Sequence, residues 1–136
     1  MKNIKIIHHN YPFDKLCNPN ISMNMHPGAC YMAKVAYAAK MQGNYWEMAS
    51  LLYENQPKKD EDVIKLVEKL NFDKDKFMQD FASKEVQNEL YKDIEKGADL
   101  EIDATPTMYI NGDKIVGVKP YFKLKEILEK HGAIRK

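Results

Sequence analysis

At 136 residues, with 44% hydrophobic and 10% aromatic side chains, the chain can bury a sizeable core and is no longer than one ordinary domain. The 21 Lys and Arg against 20 Asp and Glu leave a formal net charge of +1, so no global field draws it to nucleic acid or to an anionic membrane surface. No apolar run approaches the roughly 20 residues of a membrane span, and residues 1–10 lack the apolar stretch and cleavage site of a signal peptide, so the expectation is a soluble chain without an address.

Residues 2–7 alternate loosely, with Ile4, Ile6 and Ile7 apolar, and predict a first strand that His8-His9-Asn10-Tyr11-Pro12 ends. Residues 14–27 are rich in Asn and Pro and read as an irregular loop. Pro27 suits an early helical position, and residues 29–41 form a helix apolar nearly all round, the mark of a buried helix. Gly43 breaks it, and a second helix from Tyr45 closes at Asn55-Gln56-Pro57.

Asp60 or its neighbour caps a third helix with Val63, Ile64, Val67 and Leu70 on one face. Asp73 opens a short helix presenting Phe77 and Phe81; Ser83 caps another in which Val86, Leu90 and Ile94 recur, and Gly97 is read as its terminator. This gives a helical block over about 27–97. A hairpin follows: Met108 to Ile110 is β-prone, Asn111-Gly112 is the strongest two-residue turn signal, and Lys114 to Val118 returns. Thr105-Pro106, an X-Pro bond for which cis costs only about 0.5–1 kcal/mol, is a candidate cis peptide at the strand entrance. Pro120 starts a last helix with Phe122, Leu124, Ile127 and Leu128 inward, and His131-Gly132 closes it.

The helix start Gly43-Asn44-Tyr45-Trp46-Glu47, the run Leu51-Leu52-Tyr53-Glu54-Asn55-Gln56, the segment Ala104-Thr105-Pro106-Thr107-Met108-Tyr109-Ile110-Asn111-Gly112, the return Ile115-Val116-Gly117 and Pro120-Tyr121 together resemble the thioredoxin-like proteins of the DsbA family. Tyr11-Pro12-Phe13-Asp14-Lys15-Leu16-Cys17-Asn18-Pro19 followed by His26-Pro27-Gly28-Ala29-Cys30 resembles the DsbA-like domains fused to vitamin K epoxide reductase homologues. The resemblance implies an α/β thioredoxin-like fold with a helical insertion, one domain over 1–136, and work on protein or peptide thiol and disulfide substrates in the periplasm or another extracytoplasmic compartment. It implies no cofactor. Family members begin with a strand and a helix carrying Cys-x-x-Cys; neither is present here, so the chain reads as truncated at its N-terminus. Thr105 and Pro106 then carry over as substrate-binding residues only, offering backbone groups to an extended peptide. The leading expectation is a disulfide oxidoreductase domain or fragment without independent redox activity. The alternatives are a non-catalytic peptide- or protein-binding module, and redox activity through Cys17 and Cys30.

Those two cysteines admit a disulfide pinning the 14–27 loop to the buried helix, a redox-active pair with Cys30 activated near a helix N-terminus, a metal set of His26, Cys17 and Cys30 with His8 or His9, or inert thiols. In the oxidising compartments the resemblance implies, they are expected to be bonded to each other. Trp46, Tyr31, Tyr37, Tyr45 and Tyr53 read as helix-packing residues, and Met23 and Met25 as core gap-fillers. In the family's sheet the missing strand lies between those matching residues 2–7 and 107–110. Its loss predicts either that 2–7 shifts inward to pair with 107–110 or that a second copy covers the gap as a homodimer.

Overall fold

A computed structural model describes residues 1–135, and caps and breakers set most of its element boundaries. The order is α1 (Ala29–Met41), α2 (Tyr45–Asn55), α3 (Asp60–Lys69), α4 (Lys74–Phe81), α5 (Lys84–Asp99), β1 (Thr107–Ile110), β2 (Asp113–Val116) and α6 (Tyr121–Lys130). Gly43, at φ 82°, separates α1 from α2. The Lys76 amide donates to Asp73 Oδ1 at 3.0 Å, and the Val86 amide donates to Ser83 Oγ at 3.2 Å, so two of the three predicted caps satisfy first-turn amides; at α3 Asp60 is already the first helical residue and the cap position, Lys59, bonds no amide through its side chain. Asp73→Ala is expected to cost about 1 kcal/mol in urea unfolding. The Gln42 side chain, which clamps the Asp73 backbone from both its amide and its carbonyl, is untouched by that change, so the loss reports the cap alone.

The chain divides into two compact units, one of residues Asn10–Ala98 and one joining Met1–His9 to the chain from Asp99 onward. The first holds every buried hydrophobic side chain among the described residues. Its centre is α1, which buries Val35, Ala36 and Ala39 and packs against α2 and α4, while α3 packs on α4. Phe77, Met48, Val67, Val86 and Leu90 fill the space around it with less than 2% exposure. Tyr31 donates to Asp60 Oδ1 at the start of α3, and burial together with that bond pushes its hydroxyl pKa up.

In the second unit β1 and β2 pair antiparallel, Thr107 opposite Val116 through Ile110 opposite Asp113. Asn111 and Gly112, both at positive φ, make the two-residue turn. No described residue of this unit is buried, α6 included.

Four expectations are corrected. Residues 2–7 form no strand: Lys2 makes one isolated bridge to Ile134, and Ile6 and Ile7 lie exposed, because an alternating pattern becomes a strand only when a neighbour supplies a ladder. The inward shift of that segment onto β1 is therefore absent, and the sheet has two strands among the described residues. Gly97 does not end α5, which runs on to Asp99; it is the point where the Tyr11 ring lies against the helix backbone. Trp46 and Tyr53, one face of α2, and Phe122 on α6 are exposed rather than packed inside, because helical spacing fixes a shared face without fixing which face is covered, and Met23 and Met25 are exposed on the loop before α1.

Candidate functional site

The irregular segment before α1 is held by its own polar side chains. The buried Asp14 carboxylate accepts from the Leu16 amide through Oδ1, and from the Gly28 and Cys30 amides through Oδ2 at 3.0 and 3.2 Å. Asn18, wholly buried, donates to the Pro12 carbonyl at 2.8 Å and accepts from the Asn20 amide. Asn24 accepts from the Lys15 amide, and the His26 amide donates to the Phe13 carbonyl at 2.9 Å. The Asn and Pro content that reads as looseness is in fact a set of side-chain-to-backbone turns.

Within this frame Cys17 and Cys30 are joined by a disulfide, with their Cα atoms 6.0 Å apart. Cys30 lies in the first turn of α1 at 3% exposure, while Cys17 is half-buried. A helix N-terminus ordinarily lowers a thiol's pKa by offering unpaired amides and the positive end of the helix dipole to the thiolate. Here those amides already bond the Asp14 carboxylate, whose negative charge opposes a second anion beside it. Both sulfurs are spent in the disulfide, so the alternative metal set lacks its thiolates. Among the described residues no group of three or more His, Cys, Asp or Glu is gathered for a metal.

In the other unit, the Thr105–Pro106 peptide bond is cis, and both residues are exposed. Thr107 Oγ1 donates to the Ala104 carbonyl at 2.6 Å, and the Gly117 amide donates to the Pro106 carbonyl at 2.8 Å, fixing the loop to the end of β2. Among the described residues neither backbone group of Thr105 has a hydrogen-bond partner, so it presents one donor and one acceptor on an anchored loop. Sequence reasoning named Cys17, Cys30, Thr105 and Pro106 as candidates but did not name Asp14. Its donors lie up to sixteen residues away, and only its position in an Asn/Pro-rich loop before a helix with no capping side chain of its own could have pointed to it.

The family model described as the DSBA-like thioredoxin domain matches residues 2–129. Among curated proteins, the chain is 31% identical over 99 residues to the Na(+)/H(+) antiporter NhaA 3 of Salinispora tropica, covering 72% of this chain and 15% of that protein. It is 35% identical over 91 residues to the Na(+)/H(+) antiporter NhaA 1 of Salinispora arenicola, covering 65% and 14%. It is also 32% identical over 90 residues to the Na(+)/H(+) antiporter NhaA 1 of Mycolicibacterium vanbaalenii, covering 64% and 15%. The chain thus spans about 15% of the length of these relatives. No described helix is long and apolar enough to cross a membrane. No solved structure matches the chain.

Proposed function

This chain belongs to the family of DSBA-like thioredoxin domains, an α/β thioredoxin-like fold, and from that premise we propose that it docks protein thiol or disulfide substrates without exchanging electrons with them. Docking falls to the anchored, exposed loop at Thr105 and Pro106, whose free amide and carbonyl suit an extended peptide. The Cys17–Cys30 bond is a brace.

The observation that carries the brace reading is the Asp14 carboxylate at the head of α1. A thiol that exchanges disulfides needs to be reached and to be held as thiolate. Cys30 is buried, and the amides that would stabilise its anion are taken by a carboxylate. A disulfide of this kind persists in an oxidising, extracytoplasmic compartment, which is where we place the chain.

The test is oxidation of a dithiol peptide and reduction of insulin by a small thiol, each with and without the chain. The expected rates equal the background, and the disulfide remains intact after incubation with substrate. Turnover above background that Cys30→Ser abolishes would instead make Cys17 and Cys30 a redox pair. Docking is read separately, as amide-resonance shifts confined to the Thr105 region when a cysteine-bearing peptide is titrated in.

A further inference from the structure

We propose that the outer edge of β1 pairs with the same edge of a second copy of this chain, making a twofold-symmetric sheet in the order β2, β1, then β1 and β2 of the partner. The ladder fixes which groups point outward. The Gly117 amide bonds the Pro106 carbonyl, so in an antiparallel pair the bonded positions alternate from there: Pro106 with Gly117, Met108 with Ile115, Ile110 with Asp113. Thr107 and Tyr109 therefore aim their amides and carbonyls away from β2. Among the described residues no other strand meets them.

The two edges of this hairpin are chemically unlike. Natural edge strands are guarded by charges, prolines or bulges. β2 carries Asp113 and Lys114, whereas β1, Thr107-Met108-Tyr109-Ile110, carries no charge, no proline and no bulge. The protected edge is β2 and the one left open is β1.

A second copy fits that edge by symmetry. With Met108 on the twofold axis, Thr107 faces the partner's Tyr109 and Tyr109 faces the partner's Thr107, and each pair exchanges both of its N–H···O bonds. A lone peptide strand would satisfy the same groups but would leave the rest of this unit bare. None of the unit's described residues is buried, and Ile6, Tyr109, Val118, Tyr121 and Phe122 are between 43% and 81% exposed. A two-stranded hairpin without a core is marginal by itself. A partner hairpin instead extends each two-stranded ladder into one four-stranded sheet, past the size at which a sheet is marginal. The formal net charge of +1 opposes such an association very little.

Sedimentation equilibrium at micromolar concentration is expected to give twice the 15.8 kDa of one chain. Tyr109→Pro deletes an outward amide without touching the β1–β2 ladder and is expected to weaken the dimer by at least about tenfold. Circular dichroism checks that this variant keeps its helices. Met108→Cys puts two thiols at a non-hydrogen-bonded pair, where Cα atoms are about 4.5 Å apart, inside the range a disulfide spans, and is expected to cross-link in air. Lys114→Cys on the far strand is expected to stay uncross-linked. A monomer at these concentrations, an open-ended assembly, or a dimer that survives Tyr109→Pro and leaves Met108→Cys uncross-linked overturns the proposal; the last two outcomes place the contact elsewhere.

Discussion

The double variant Cys17→Ala, Cys30→Ala is expected to unfold with about 3 kcal/mol less stability than the parent. The bond joins residues 13 apart in sequence, and a cross-link closing a loop of that length removes about 3 kcal/mol worth of freedom from the unfolded chain. Against a total of about 5–15 kcal/mol for a domain of this size, that is a large share. The native segment keeps its shape, because the Asp14, Asn18 and Asn24 bonds hold it independently of the sulfurs. The loss therefore acts through the unfolded state, and far-ultraviolet circular dichroism of the folded variant should match the parent while its urea midpoint falls. Reducing the parent with a strong thiol should reproduce the shift. If the variant loses less than about 1 kcal/mol, the polar turns carry the segment and the disulfide is not the brace proposed above.

The sequence exposed the helices better than the sheet, and the reason is range. Asp73 and Ser83 bond amides three residues onward, and Gly43 acts on its own backbone, so the limits of α4, α5 and α1 are written locally. The hairpin is local too, closed by Asn111-Gly112. Residues 2–7 have the composition of a strand, but strand formation needs a partner elsewhere in the chain, and only Lys2 finds one, at Ile134. Asp14 failed to stand out for the same reason: its donors at Gly28 and Cys30 lie beyond any local motif. The Cys17–Cys30 bond was within reach of residue type and resemblance, and Thr105 and Pro106 could be named the same way, whereas the carboxylate beside Cys30 could not.

Gly97 is the position where two local meanings of one residue lead to different experiments. A glycine that ends a helix accepts alanine poorly because of its backbone angle; a glycine inside a helix accepts it well, gaining about 1 kcal/mol, unless something occupies the Cβ position. Gly97 lies inside α5 without a positive φ, and a Cβ built there would fall 2.3 Å from Tyr11 Cδ2 and 2.5 Å from Cε2. The ring cannot retreat freely. The Asn10 amide is bonded to the Asp93 carboxylate at 2.7 Å on one side, the Pro12 carbonyl is bonded to buried Asn18 on the other, and the ring packs edge-on against Phe13 at 5.8 Å. Overpacking of this severity costs about 3 kcal/mol and outweighs the helix gain, so Gly97→Ala is expected to lose about 2 kcal/mol net in urea unfolding. Tyr11→Ala costs stability by itself, yet on that background Gly97→Ala should become neutral or favourable, a coupling of at least about 2 kcal/mol between positions 11 and 97. Equal effects of Gly97→Ala on both backgrounds would mean that the ring does not press on the helix.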